Sequence, residues 1–337
     1  MKVKLIAPSS GLGPKQNREE ILDKIVKIMH EYGIEVIYNP RILTTTIEEK
    51  KLPYFADSKE FREQDLKESI ESYEYDIIWT LRGGYGCLDS LYNIFRTVNT
   101  SHNKILIGYS DTTALHIFIN NYLNWPSIYG PSLLDIANAK ATYESIDTIL
   151  SSNSTRYSIE KIYGDFGDPK ISKISKVIGG NLTVLTTVIG TLPTDFRDTI
   201  VFFEDVGEAP YAVHRSLSHL KNAGLLNGAY ALLFGDFIKN SADEADAEFD
   251  ELMNSTIAVF CADIGIPSFR IEGIGHRKSP KAICFGTNAK ISTYENNSDM
   301  FFLEVSSIRV PGIEVSSIGE PGEVPSIGEP GIEDSSI

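Results

Sequence analysis

Residues 104–113, KILIGYSDTT, pass from one backbone period to another within ten positions. Ile105, Leu106 and Ile107 form a short run that is apolar on both faces, as in a strand buried inside a parallel sheet. From Thr112 to Leu123 the apolar residues recur at helical spacing, so Gly108 to Thr112 must turn the chain from strand to helix. Strand, sharp turn and helix form the repeating unit of a doubly wound α/β sheet.

Working outward, the same unit recurs through the first half. KVKLIAP, EVIYNP, DIIWTL and PSIYGP read as further buried strands. Helices are expected between them at Asn17–Tyr32, Glu60–Tyr73, Leu88–Thr97, Thr112–Leu123 and Ser132–Leu150, the first stopping at Gly33. Residues 153–173, rich in Ser, Asn, Gly, Asp and Pro, read as a linker. Beyond it, VIGGNLTVLTTVIGT, the strand TIVFFED, a helix at Val213–Ala223, ALLFGDF, a helix at Glu244–Ala262 and strands in SFRIEGIGH, KAICFGTNAKISTY and DMFFLEV suggest a different architecture. The expectation is an α/β protein: an N-terminal doubly wound, flavodoxin- or Rossmann-like parallel-sheet domain over 1–152, and a C-terminal α+β domain over 174–305 with a small barrel-like or mixed sheet. From 306 to 337 an Ser-Ile unit repeats at Ser307, Ser317, Ser326 and Ser336 between Pro-Gly pairs. That composition buries too little surface to offset its ordering entropy, so a disordered tail is expected.

A chain of 337 residues fits two domains, and 42% hydrophobic with 23% charged residues is the composition of a packed globular protein. Against 31 basic residues stand 46 acidic ones, and the resulting charge of -15 repels nucleic-acid phosphates and anionic lipid. Cys87, Cys261 and Cys284 are odd in number and widely spaced, which argues against a disulfide framework or a cysteine-based zinc site. Neither an export signal nor a run of about 18 apolar residues appears, so a cytoplasmic location is expected.

Three loops that follow strands carry candidate chemistry, because ligands of open α/β sheets collect at the carboxyl ends of strands. Arg82-Gly-Gly-Tyr-Gly86 brings three glycines close together, which suits close approach of backbone N–H groups to an anion or simply a tight turn. Gly108-Tyr-Ser-Asp-Thr112 resembles a nucleophile elbow with Thr112 in place of the last glycine, although the loop taken alone favours Ser110 or Asp111 as a helix cap. Glu204-Asp205 ends an all-apolar strand, where a carboxylate needs a partner such as a histidine unless it reaches the surface. Of six histidines, His30 and His102 are expected in solvent, His116 packed or solvated, and His214 and His219 on an amphipathic helix. His276 stands apart, in a loop after a strand and two glycines.

In chain order, IAPSS (6–10), FADSKEFREQDL, LRGGYG, IGYSDTTAL, YGP (129–131), GGNLTVL (179–185), FFEDVGEAPYAVHRSL and GIGH resemble the serine LD-carboxypeptidases. That family includes muramoyltetrapeptide carboxypeptidase and the microcin C immunity peptidases. The resemblance implies Ser110 as nucleophile, His276 as general base and Glu204 as orienting acid, with Asp205 and Glu208 as rivals for the last role. It also implies an oxyanion hole from the Gly84 and Asp111 N–H groups, no cofactor or metal, a small-peptide substrate and a homodimer. Arg82 and Arg215 are candidates for the substrate carboxylate, or solvated charges. The expected activity is release of a terminal D-amino acid, as from murein tetrapeptide in cell-wall peptide recycling. The EDVGE form favours this over hydrolysis of a peptidyl-nucleotide of the microcin type, and a two-lobed peptide-binding module is the non-enzymatic alternative.

Overall fold

A computed structural model describes residues 1–13, 17–44, 51–100, 102–138, 141, 143–150, 153–164, 173–240, 246–294 and 297–308. The five expected N-terminal strands, β1 (Lys2–Ile6), β2 (Glu35–Tyr38), β3 (Ile77–Thr80), β4 (Ile105–Gly108) and β5 (Ser127–Tyr129), lie parallel in the spatial order β5-β4-β3-β1-β2. Every residue of β3 and β4 is buried, as runs apolar on both faces require when helices cover both sides. The first helix, Arg18–Glu31, starts where the Asn17 side chain accepts the Glu20 N–H and buries Leu22, Ile25 and Met29 on one face. It ends at Gly33, whose φ of +69° suits glycine. The expected Ser132–Leu150 helix is two helices, Leu133–Ala137 and Tyr143–Leu150.

The C-terminal half forms a closed barrel. Its strands are β6 (Thr155–Tyr163), β7 (Ser175–Asn181), β8 (Ile200–Val206), β9 (Ala231–Ile238) and β10 (Ser268–Ile271), then, after β11 (Ile283–Phe285), β12 (Asn288–Tyr294) and β13 (Asn297–Val305). The barrel order is β10-β6-β13-β12-β7-β8-β9, with β7 to β10 mutually parallel and β6, β12 and β13 antiparallel to their neighbours. β6 corrects the linker expected at 153–173. Tyr157 and Ile159 point into the barrel while Arg156, Ser158 and Glu160 face out, and this half-polar alternation hid a strand that closes against partners more than a hundred residues away. Residues 165–172 of that stretch and 309–337 of the expected 306–337 tail lie outside the described residues. Residues 306–308 correct the start of that tail, since the Ser306 N–H donates to the Asn288 carbonyl (2.8 Å) and Ile308 is buried in an apolar cluster of the N-terminal domain.

Two features join the halves. β11, though late in the chain, pairs antiparallel with β5 and so extends the N-terminal sheet. One apolar core also runs through both, with Leu115 and Phe118 of the helix after β4 packing with Ile178, Leu182 and Leu185 of β7 and its following helix. Full burial of each such side chain contributes roughly 1.5–3 kcal/mol, against about 0–1 kcal/mol for an exposed ion pair. Apolar packing therefore docks the two sheets, carboxyl ends of strands facing one another.

Candidate active site

β4 ends at Gly108, where any side chain would strike Thr80; a Cβ there would sit 2.3 Å from Oγ1. Ser110, two residues on, has φ +63°, a left-handed conformation that costs a non-glycine residue about 1–2 kcal/mol. The turn Ser110–Thr112 then leads into the helix Thr113–Phe118. The elbow expected from sequence is thus present, and Thr112 is buried in it with its hydroxyl 3.4 Å from Thr80 Oγ1. His116 is neither solvated nor passive. Its Nε2 donates to the Gly108 carbonyl (2.9 Å), its Nδ1 accepts from Ser127 (2.7 Å), and burial pushes its pKa down to about 4, so a neutral ring pins the elbow.

The Ser110 N–H donates to Tyr129 Oη (3.0 Å), and Tyr129 donates to Glu204 Oε1 (2.6 Å). Glu204 Oε2 accepts from His276 Nδ1 at 2.7 Å. The Tyr109 ring lies 4.9 Å from the imidazole, and its hydroxyl is anchored on Asp135. Sequence residues 110, 204 and 276 therefore meet in one hydrogen-bonded chain linked by a phenol. Glu204 is fully buried and also receives Asn181 Nδ2 at 3.3 Å. Asp205, the rival acid, points elsewhere. It accepts from Asn181 Nδ2, Thr183 N and Oγ1 and Val206 N, and burial, reinforced by the Glu204 charge, raises its pKa to about 6. Glu208 lies beyond β8, on the wall of a cavity rather than on the histidine.

That cavity, about 680 Å³, is walled by Ser110, Gly84, Asp111, Tyr85, Asn181 and Asp205 among others. The glycine-rich turn touches Ser110: a Cβ on Gly83 would lie 2.8 Å from Ser110 Cβ, and one on Gly84 2.1 Å from Ser10 Oγ. The Pro8-Ser9-Ser10 loop locks this contact. Ser10 donates to the Tyr54 carbonyl (2.6 Å) and accepts Tyr85 N–H (3.3 Å); Ser9 donates to Asp111 Oδ2 (2.6 Å), which also takes the Cys87 N–H. Of the two candidate cations, Arg82 is half-buried beside the turn with Nη1 3.5 Å from the Gly11 carbonyl. Arg215 is exposed on the helix Pro210–Asn222, 5.9 Å from the Tyr211 ring, and neither arginine lines the cavity, whose wall carries Lys59. Among the described residues no group of three His, Cys, Asp or Glu side chains is arranged to hold a metal ion.

Buried Arg62 ties the loops behind the turn. It donates to the carbonyls of Pro8, Gly86 and Asp57, to Ser90 and to Asp89 Oδ2 (2.9 Å), and stacks on Phe55. Arg62→Ala would strand these acceptors and should destabilise the protein by about 3 kcal/mol, with Arg62→Lys recovering only part. Denaturant titration checks this; a variant within about 0.5 kcal/mol of the parent would contradict it.

Comparison with known proteins agrees with the geometry. Residues 3–130 match the model of the LD-carboxypeptidase N-terminal domain, and residues 175–291 that of the C-terminal domain. The chain belongs to the LD-carboxypeptidase family. A putative carboxypeptidase of Rickettsia conorii is 32% identical over 259 residues, spanning 75% of this chain and 79% of that protein. The murein tetrapeptide carboxypeptidase of Pseudomonas aeruginosa is 25% identical over 298 residues, 86% of this chain and 92% of its own length. The crystal structure of muramoyltetrapeptide carboxypeptidase from Oxalobacter formigenes shares the fold, with a TM-score of 0.71 at 23% identity over 92% of this chain and 100% of that one.

Within this LD-carboxypeptidase, Tyr129 and Asn181 were not singled out from sequence. Both lie in the motifs that carry the resemblance, YGP and GGNLTVL, and a tyrosine ending a buried strand, whose hydroxyl must find a partner, is the available signal.

Proposed function

We propose that this chain is a serine LD-carboxypeptidase that hydrolyses the amide between an L-configured centre and a terminal D-amino acid, converting murein tetrapeptide to tripeptide and D-alanine. The observation that carries this reading is the chain from Ser110 N–H through Tyr129 and Glu204 to His276 Nδ1. With Nδ1 donating to a carboxylate, Nε2 is the nitrogen that serves as base. Ser110 Oγ attacks the scissile carbonyl as His276 takes its proton. The oxyanion forms against the Gly84 and Asp111 N–H groups, which belong to two loops in contact on the cavity wall. Collapse breaks the C–N bond, and the imidazolium protonates the departing amine. Water, deprotonated by His276, then attacks the ester and frees Ser110. Arg82, half-buried beside the glycine-rich turn, is the candidate for the substrate carboxylate in a protein of charge -15.

A homodimer and a cytoplasmic location accompany this reading as expectations; no helix among the described residues is long and apolar enough to cross a membrane. The test is mass spectrometry of murein tetrapeptide incubated with the purified chain. Loss of one D-alanine is expected. No release, with turnover of a peptidyl-nucleotide offered alongside, would replace the substrate assignment.

A further inference from the structure

His276 sits in a loop that ought to be loose. Gly273 and Gly275 flank Ile274 with φ of +82° and +146°, backbone regions that glycine enters freely and leaves as freely. Yet an imidazole acting as base must be held to within about 0.5 Å. Glu204 holds one ring nitrogen, which fixes the direction of the ring but not the path of the backbone that carries it.

The residue that holds that path is Asp236, on β9 next to the strand of Glu204. Its backbone N–H donates to the Ile274 carbonyl (3.0 Å). Its carboxylate Oδ1 accepts from Gly273 N–H (3.4 Å) and from Arg277 Nε (3.0 Å), so one oxygen grips the loop on both sides of His276. Gly275 is pressed between the two acids: a Cβ there would lie 3.1 Å from Glu204 Oε2 and 3.2 Å from Asp236 Cβ. This arrangement runs against stability. Asp236 is 5% exposed, its Oδ2 has no hydrogen-bond partner among the described residues, and the Glu204 charge lies nearby. A buried carboxylate with one unsatisfied oxygen is costly, and an apolar residue would pack there at lower cost.

We propose that Asp236 is a positioning residue of the active site, gripping the 273–277 loop from both flanks so that His276 presents its ring to Ser110, with Arg277 as the partner of that carboxylate. The proposal rests on His276 acting as base for Ser110.

The test compares Asp236→Ala, Asp236→Asn and Arg277→Ala with the parent in two assays: tetrapeptide turnover, and labelling of Ser110 by a fluorophosphonate. In labelling, Ser110 Oγ bonds to phosphorus, fluoride leaves and His276 accepts the hydroxyl proton, so the rate reads the Ser110–His276 relation without any peptide. Asp236→Ala should lower kcat and the labelling rate together by about 10- to 100-fold, with KM within about 3-fold, the signature of a misplaced base. Asp236→Asn keeps an acceptor at Oδ1 and should stay within about 5-fold of the parent, which a need for mere bulk would not predict. Arg277, half exposed, can be removed without a core defect, and its loss should cost about 3- to 10-fold in both assays.

Parental kcat and labelling in folded Asp236→Ala would overturn the proposal, as would a rise in KM alone. Should Asp236→Ala fail to fold, parental rates in Arg277→Ala would overturn it equally. A parent that labels but leaves the tetrapeptide intact would sink the substrate reading while the Asp236 comparison still stands. A parent whose Ser110 does not label would overturn both.

Discussion

Ser110→Ala is expected to lower kcat for D-alanine release by about 10⁴- to 10⁶-fold while the protein folds as before. The size follows from chemistry: without Oγ no acyl-enzyme forms, and what remains is whatever the Gly84 and Asp111 N–H groups and substrate binding achieve with water. Retention of the fold follows from the elbow. Alanine at φ +63° meets much the same strain as serine, and the anchoring bond from position 110 is made by the backbone N–H to Tyr129, which the substitution leaves in place. The measurement is kcat by mass spectrometry beside circular dichroism. Turnover within tenfold of the parent would remove Ser110 from the reaction.

Glu204→Gln should be nearly as damaging, about 10⁴-fold in kcat. Glu204 now accepts from Tyr129, Asn181 and His276 with its two oxygens. An amide of the same shape has one oxygen and one donor nitrogen, so either it faces His276 with an N–H and forces the proton onto Nε2, or it opposes the Tyr129 hydroxyl. The first puts the proton on the nitrogen that must act as base; the second sets a donor against Tyr129 and Asn181 and loosens the group that orients the ring, and both preserve volume. Asp205→Asn is the built-in comparison. Its carboxylate holds the start of the Leu182–Val188 helix rather than the histidine, so its loss should affect stability more than kcat, which should fall less than tenfold. Equal losses in the two variants would contradict the assignment of the orienting acid to Glu204.

How much of this could be read in advance depends on how local each feature is. The elbow was legible because strand, glycine and helix start all lie within ten residues, and the Thr80 side chain that makes Gly108 obligatory only tightens a turn already written there. The role of Ser110 within it came from the family resemblance, since the loop alone reads as a helix cap. Glu204 and Asp205 were legible as a pair but not as individuals. Both are buried and both accept from Asn181 Nδ2, so only the position of the His276 loop, which meets Glu204, tells them apart. β6 was missed because its polar face looks like a linker until the barrel closes on Tyr157 and Ile159. β11 was placed with the wrong sheet by its position in the chain.

The sequence by itself determined the local conformations: the buried strands, the caps, the elbow and the glycine-rich turn, since each rests on steric and hydrogen-bonding preferences of adjacent residues. Only the tertiary structure decided which distant groups share one hydrogen-bonded chain. Tyr129 bridging Ser110 to Glu204, and Asp236 gripping the loop of His276, exist because one apolar core presses the carboxyl ends of two sheets together, and that packing energy is summed over residues that no short window contains.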